Sequence, residues 1–369
     1  MTDLSGTITD ASGTAISSAT VFAIGMIDFE LHAWTTTDAN GEYSFTGLPD
    51  FQEYHVGSHW QSGGEPYNGE SKPFTPGEYP DYLAITASYD PIEIRDVSDW
   101  SLMDSFNPSG DKAGVLDISP DNSFLAYGTD VYDTGTPALY VHNVGSWSVE
   151  TTFSVSDEPD SVDFSHDSNL LTFGQTSAPL EIYDTADWSV AQTLPQPGYQ
   201  TGAVAFDPSG GRFGYHSDNY HIYDTADWSK ITTLDTVPPR AAGFSPGGGY
   251  LAINDDGGSR ITVYDTADWS TANQMTISED VWDIAWSPQG AYLALGSYGE
   301  VTTVYDTADW SVVHSTSNAG ASVSFSPDGS HLARGNASGD VKIDNTSDWS
   351  LADSFTMANG GVAYLEYSP

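Results

Sequence analysis

Apolar and polar residues alternate in short segments along most of the chain, and this two-residue period predicts β-strands. One representative stretch divides into four segments: VWDIAWSP (281–288), AYLALGS (291–297), EVTTVYDT (300–307) and DWSVVHST (309–316). In the next repeat, SPDG (326–329) separates two such segments and is typical of a turn, because Pro sets φ and Gly accepts a positive φ. The pattern predicts an antiparallel unit of four strands, which we name strands a to d in chain order.

This unit recurs along the chain with a period near 40 residues. A DWS-type motif and an aromatic–Ser–Pro type marker run in step, and each has seven members. A period of this length that holds four short strands is typical of a β-propeller blade, so the sequence predicts a seven-bladed propeller. The motif tryptophans, at intervals of 47, 41, 40, 41, 41 and 39 residues, are Trp100, Trp147, Trp188, Trp228, Trp269, Trp310 and Trp349.

The stretch YDTADWS occurs four times without change, at 183–189, 223–229, 264–270 and 305–311. Its two carboxylates, its Thr and Ser hydroxyls and its indole resemble the parts of an active site. A catalytic constellation is normally made once, however, whereas this stretch is made once per blade. We therefore expect the first Asp to end strand c, the second Asp to cap a tight turn, and the Trp to cover the seam between blades.

The two ends of the repeat region complement one another. Residues 81–106 have the pattern of strands b, c and d without a strand a, and residues 361–369 have the pattern of a strand a alone. Pairing them completes the seventh blade and removes two exposed sheet edges. We expect this pairing to close the ring.

The repeat resembles the WD-repeat propeller family over residues 79–369. The stretch FSPDGSHLARG (325–335) is similar to that family's a–b hairpin, and the Tyr–Asp of VYD lies where the family has Trp–Asp at the end of strand c. The family's Gly–His before strand a is missing here. The resemblance implies a WD-repeat-like seven-bladed propeller as the second domain, residues 78–369.

Residues 1–77 carry no blade markers and alternate between strand patterns and Gly, Asp and Asn turns. They resemble the carboxypeptidase regulatory-like domain, a small β-sandwich related to transthyretin and immunoglobulin-like folds. The resemblance implies an all-β chain in which this sandwich and a Gly/Pro-rich joint precede the propeller. The matching positions are Gly6–Asp10, Gly13, Ala19–Val21, Thr37–Phe45 and Leu48–Pro49.

The charge balance indicates the environment of the protein. There are 52 acidic and 9 basic residues, for a formal charge of -43. Molar salt shortens the Debye length to about 3 Å and screens this self-repulsion. Such a composition is typical of an extreme halophile, most often a haloarchaeon or one of its viruses. Nine scattered basic residues form no patch, so the sequence predicts no nucleic-acid partner.

Three further absences limit the chemistry. The chain has no cysteine, no apolar run long enough for a membrane span, and no signal-peptide pattern after Met1. No HExxH, GxSxG or phosphate-binding glycine loop occurs. We therefore predict no enzymatic activity and no cofactor.

Four carboxylates occupy strand a positions that should face the propeller axis: Asp117, Asp163, Asp283 and Glu366. They predict an acidic channel that holds water, and they are weak candidates for a structural cation such as Na⁺, K⁺, Mg²⁺ or Ca²⁺. A glycosidase-type carboxylate pair is the catalytic alternative.

Loops on one propeller face depart from the repeat and carry aromatic residues. Tyr132, Tyr199 and Tyr298 lie in such loops and are candidates for partner binding, with ordinary loop variation as the alternative. The loops on this face join strand b to strand c, and strand d to strand a of the next blade.

These patterns together favour a non-enzymatic structural and recognition protein. Sandwiches with cores like TTTDANGEYSFTGLP (35–49) are similar to those in surface appendages of haloarchaeal tailed viruses. This implies a head turret, spike or tail fibre on the virion surface. The sandwich would contact other virion proteins, and the propeller would contact the host envelope or its S-layer glycoprotein, in a symmetric homo-oligomer.

Two alternatives stay open from the sequence. The protein could be a cytoplasmic or surface scaffold of a haloarchaeon whose propeller binds other host proteins, or a propeller hydrolase or lyase acting on glycans.

Overall fold

A computed structural model of the chain contains two compact units, Met1–Pro80 and Asp81–Pro369. In the first unit the structure describes five strands by their backbone. In the second it describes residues 81–369 apart from 88–91, 107–111, 131–136, 156, 158, 176–178, 196–201, 237–238, 256–258, 278–279, 298–300, 318–319 and 358–359.

The first unit is a small β-sandwich of two antiparallel sheets, as the alternating pattern predicts. One sheet pairs β1 (Thr2–Thr7) with β4 (Glu42–Leu48). The other has the order β3 (Leu31–Thr36), β2 (Thr20–Gly25), β5 (Tyr54–His59).

The second unit is a seven-bladed propeller in which every blade is a four-stranded antiparallel sheet. Blades 1 to 3, with strands in the order a to d, are β9 (Lys112–Ile118), β10 (Phe124–Asp130), β11 (Ala138–Asn143), β12 (Ser148–Ser154); β13 (Ser161–Phe164), β14 (Leu170–Gly174), β15 (Leu180–Asp184), β16 (Val190–Leu194); and β17 (Val204–Phe206), β18 (Arg212–His216), β19 (Tyr220–Asp224), β20 (Lys230–Leu234).

Blades 4 to 6 follow the same order along the chain. They are β21 (Ala242–Phe244), β22 (Tyr250–Asp255), β23 (Arg260–Asp265), β24 (Thr271–Thr276); β25 (Val281–Trp286), β26 (Tyr292–Ser297), β27 (Val301–Asp306), β28 (Val312–Ser317); and β29 (Ser322–Phe325), β30 (His331–Gly335), β31 (Asp340–Asn345), β32 (Leu351–Thr356).

Blade 7 combines the two ends of the repeat region. Its strand a is β33 (Val362–Tyr367), and its strands b to d are β6 (Tyr82–Ala87), β7 (Ile92–Asp96) and β8 (Leu102–Phe106). β33 pairs antiparallel with β6, and Tyr367 lies opposite Leu83. Beyond the strand, the backbone N–H of Tyr82 donates to the Ser368 hydroxyl at 2.9 Å. The last residues of the chain thus supply the innermost strand of a blade that begins some 280 residues earlier.

The propeller core lies in the seams between blades. In the seam of blades 1 and 2, Leu139 and Val141 pack with Leu171 and Phe173, and all four are buried. Equivalent clusters fill other seams, because alternate residues of each strand point to opposite faces of the blade. Each blade therefore depends on both of its neighbours.

Candidate functional site

The YDTADWS stretch forms the c–d hairpin of its blade. In blade 2, Asp184 is the last residue of strand c, and its carboxylate accepts the backbone N–H of Ala186 at 2.9 Å. The Asp187 carboxylate accepts the N–H of Ser189 at 3.0 Å. The predicted roles of both aspartates, ending strand c and capping the turn, are confirmed in this hairpin.

The second aspartate of each such hairpin is held ionised by its turn. Hydrogen bonds from the hydroxyl and N–H of the following serine lower the pKa of the carboxyl group below its usual value. A carboxylate with a depressed pKa makes a poor general base near neutral pH. The aspartates that show this are Asp187, Asp227, Asp268 and Asp309.

All seven motif tryptophans share an unusual backbone conformation. Each has a positive φ, between 52° and 61°, which is rare for a bulky side chain. The left-handed residue ends a five-residue turn, which in blade 2 is closed by the Trp188 N–H donating to the Asp184 carbonyl at 2.7 Å. The strain of this conformation costs on the order of 1–3 kcal/mol, which packing must offset.

The indoles supply that packing across the seams, as predicted. Trp188 of blade 2 lies edge-on to Phe124 of blade 1, with ring centroids 5.1 Å apart. Trp349 of blade 6 contacts Tyr292 of blade 5 in the same way, at 5.3 Å. The motif therefore acts as turn and seam structure.

The axial carboxylates join neighbouring blades through the backbone. Asp117 on β9 accepts the N–H of Phe164 on β13 at 2.5 Å, and Asp163 on β13 accepts the N–H of Phe206 on β17. On β25, Asp283 accepts the N–H of Val323 on β29 at 2.9 Å. Each of these side chains ties strand a of its blade to strand a of the next.

Glu366 on β33 extends this arrangement across the closing blade. It lies in hydrogen-bonding contact with Asp117, which also contacts Asp163, so the three carboxyl groups form a row over blades 7, 1 and 2. Desolvation by burial raises the pKa of Asp117 to about 7. Burial and the neighbouring carboxylates raise the pKa of Asp163 and of Glu366 well above the usual range.

The fourth carboxylate, Asp283, acts on Glu366 through its charge. Among the residues that the structure describes, no three His, Asp or Glu side chains are grouped so as to hold a metal ion. The role of the four carboxylates as cation ligands stays a prediction.

A second ring of residues surrounds one mouth of the axis, four positions before the marker residue of each strand a. Small residues occupy this position in blades 1, 3, 6 and 7, whereas blades 2, 4 and 5 have Asp160, Arg240 and Trp282. The Arg240 guanidinium lies over the Trp282 ring, 5.6 Å from its centroid. Sequence reasoning missed this group, although aligning the blades on their markers would have exposed it.

Blade 3 contains an unusual buried histidine near the same mouth. His216 is 1% exposed, and neither ring nitrogen has a hydrogen-bond partner among the described residues. Burial lowers the pKa of His216 to about 4, so the ring is neutral at ordinary pH. The hydroxyl of Tyr220, its neighbour across β18 and β19, is also buried and has no partner within the described part.

The three tyrosines predicted to bind a partner lie outside the described residues. Tyr132, Tyr199 and Tyr298 fall in the segments 131–136, 196–201 and 298–300. Their role stays a prediction.

Over the described residues, the structure contains no helix with the length and hydrophobicity of a membrane span.

Comparison with known proteins identifies one part of the chain. No curated protein is significantly similar to the chain in sequence. Residues 3–67 match the carboxypeptidase regulatory-like domain family. The chain is thus a carboxypeptidase regulatory-like domain at the N-terminus followed by a seven-bladed β-propeller.

Proposed function

We propose that this protein is a non-enzymatic recognition protein on the surface of a haloarchaeal virus, where it attaches the particle to the host envelope. The observation that carries the proposal is that the side chains of the repeated motif have structural roles. Its carboxylates and indoles are engaged in turns and seams, for example through the bonds of Asp184 and Asp187 and the packing of Trp188. The result is a WD-repeat-like ring that presents loops and an axial mouth.

The axial carboxylates also favour a structural role over catalysis. Asp117, Asp163 and Asp283 are each occupied by a backbone N–H of the next blade. A glycosidase needs two carboxyl groups free to act on a substrate between them. This arrangement therefore supports the recognition function rather than glycan hydrolysis.

In this proposal the two domains bind different partners. The sandwich contacts other virion proteins in a turret, spike or tail fibre, and the propeller contacts the S-layer glycoprotein or another envelope component. A symmetric homo-oligomer would present several propellers at once, so that individually weak contacts hold a cell. The formal charge of -43 supports a hypersaline setting, because molar salt screens it.

Quantitative mass spectrometry of density-banded particles tests this proposal. Particles come from a lysed haloarchaeal culture that encodes the protein, and its peptides are compared with those of the major capsid protein. A fixed ratio through the band supports a virion component, with tens of copies indicating vertex turrets and a few copies a tail fibre. Peptides found only in the cell lysate would overturn the proposal and favour a cytoplasmic host scaffold.

A further inference from the structure

The axial mouth is where the ring departs from its own repeat. Four positions before each strand a marker, the chain has Gly or Ala in four blades: Gly114, Gly202, Ala321 and Ala363. The same position holds Asp160, Arg240 and Trp282 in blades 2, 4 and 5. Because these positions are equivalent by the repeat, the three large side chains lie at the same end of the axis, where the other four blades have small residues.

Arg240 stands apart from the other arginines that the structure describes. It is the exposed one among them, whereas Arg95, Arg212, Arg260 and Arg334 are less exposed. Arg95, Arg212 and Arg334 each pair with a carboxylate. Within the described part of the chain, the Arg240 guanidinium makes no hydrogen bond or ion pair; its contact is with the Trp282 ring. In a chain with 52 acidic residues, an exposed guanidinium that pairs with no carboxylate among the described residues is unexpected.

The backbone positions Arg240 and Trp282 for this contact. The N–H of Arg240 donates to the Asn254 side chain at 2.8 Å, which fixes the start of strand a in blade 4. Trp282 lies at a shift of register between β25 and β26, where Val281 and Asp283 flank it. Such bulges re-aim a side chain and are frequent beside binding sites.

Asp160 completes the group from the other side. Its carboxyl group is close enough to the Arg240 guanidinium for the positive charge to lower its pKa, although desolvation and Asp157 together raise that pKa to about 6. Its backbone is fixed, since its N–H donates to the Gly174 carbonyl at 3.0 Å. The mouth thus combines a carboxyl group, a guanidinium that lies on an aromatic ring, and that ring itself.

We propose that Asp160, Arg240 and Trp282 bind an acidic saccharide, that is, a sugar ring that carries a carboxylate. A planar guanidinium pairs with a carboxylate through two parallel hydrogen bonds, and stacking on the indole holds it in that plane. The Asp160 carboxylate accepts hydrogen bonds from sugar hydroxyls.

The net charge of the protein does not oppose an anionic ligand in brine. At molar salt the Debye length is about 3 Å, so only charges in contact with the ligand act on it. This inference rests on the proposed attachment function, for which it names the chemical class of receptor.

Titration calorimetry of the full chain in molar KCl tests the site, with D-glucuronate as ligand and D-glucose as its neutral counterpart. We expect glucuronate to bind at least about tenfold more tightly than glucose, since the sugars differ in the group that meets Arg240. Arg240→Gln should lose that preference. Lys230→Gln removes an exposed positive charge from strand d of blade 3 and should keep it. Absent glucuronate binding, equal binding of both sugars, or an equal loss in both variants would overturn the site.

Adsorption of the same proteins to haloarchaeal cells separates this inference from the attachment function. If the native protein and Arg240→Gln adsorb equally, attachment stands and the site is wrong. If neither adsorbs but the native protein still binds glucuronate in preference to glucose, the site stands and the attachment function is wrong.

Discussion

The outer c–d hairpins and the axial strands both join blades, but they do so in opposite ways. At the rim, the same residues recur, and Trp188 and Trp349 make the same edge-on contact with the preceding blade. At the axis the joining residue changes: Asp117 binds the next blade in one place, Ser324 does so in another, and Ala205 has no side-chain oxygen. Each of these two rim contacts reaches one neighbouring blade, whereas Glu366 at the axis interacts with carboxylates of three other blades.

This difference indicates which positions of a blade can hold the same residue in all seven blades. Seven carboxylates around one axis would repel one another at short range in a desolvated space. The row already shows this effect, since burial and the neighbouring carboxylates raise the pKa of Asp163 and of Glu366 well above the usual range. The axis therefore needs a mixture of acidic, hydroxyl and small residues, and each blade supplies a different member.

The largest effect that sharpens the comparison is the loss of the closing strand. Deleting residues 361–369 removes β33 and the buried side chains of Val362, Leu365 and Tyr367. We expect a loss of more than about 5 kcal/mol in the free energy of unfolding, enough to abolish cooperative folding. Thermal unfolding followed by circular dichroism measures it. Deleting only the exposed Pro369 is the control, and a full truncation that melts like this control would contradict the pairing.

A smaller effect separates packing from backbone strain at the rim. Trp188→Ala should cost about 3–5 kcal/mol through lost seam packing. Trp188→Gly should cost about 1 kcal/mol less than Trp188→Ala, because glycine accepts the φ of 59° without strain. Chemical denaturation in constant molar salt measures both variants.

Trp282 provides the matched control for this pair, since its φ is not positive. At this position the order should reverse, and Trp282→Gly should be less stable than Trp282→Ala by about 0.5–1 kcal/mol. The same order at both tryptophans would show that the rim conformation is not the cause.

The rim could be predicted from the sequence, and the axis only in part. The strict recurrence of YDTADWS predicts a shared turn, and the turn bonds of Asp184 and Asp187 and the seam contact of Trp188 confirm it. The repeat also placed Asp117 and Glu366 at the axis. It could not show that their carboxyl groups touch, because that contact depends on how seven blades close around one line.

The axial row makes stability depend on pH. Between about pH 4 and pH 7, the folded state keeps the proton of Asp117 while the unfolded chain releases it. The free energy of unfolding therefore falls as the pH rises through this range, by up to about 1.4 kcal/mol per pH unit for each proton. Asp117→Asn should flatten this fall, because an amide keeps an acceptor for the Phe164 N–H and does not ionise.

Melting temperatures from pH 4 to 8 measure that slope. The control is Asp187→Asn at the rim, where hydrogen bonds lower the pKa, so its contribution is lost only as the pH falls below the usual range. Equal slopes in the native protein and Asp117→Asn would contradict a retained proton at this position.

The smallest expected effect lies between blades 3 and 4. Asn254 of blade 4 accepts the N–H groups of Arg240 and Ala241, at 2.8 and 3.0 Å, and donates to the Val281 carbonyl of blade 5 at 2.7 Å. His216 occupies the same position in blade 3, yet its nitrogens have no partner among the described residues. Its repeat-equivalent partners are present, since Gly202, Ala203 and Pro239 correspond to the residues that Asn254 binds. Two of them share one long bond instead, from the Ala203 N–H to the Pro239 carbonyl at 3.4 Å.

His216→Asn should therefore stabilise the protein by about 1 kcal/mol, because an amide would form the three bonds that the imidazole does not. Asn254→His, the reverse change one blade away, should cost about 1–3 kcal/mol by leaving these backbone groups without a side-chain partner. Thermal melts of both variants and the native protein measure the pair. If His216→Asn destabilises instead, then the imidazole is bonded in solution, and an ordered water in this seam becomes the partner to seek by crystallography. If His216→Asn stabilises the protein, this axial position follows the repeat, as the rim does. If it destabilises the protein, the position departs from the repeat because His216 has a function of its own.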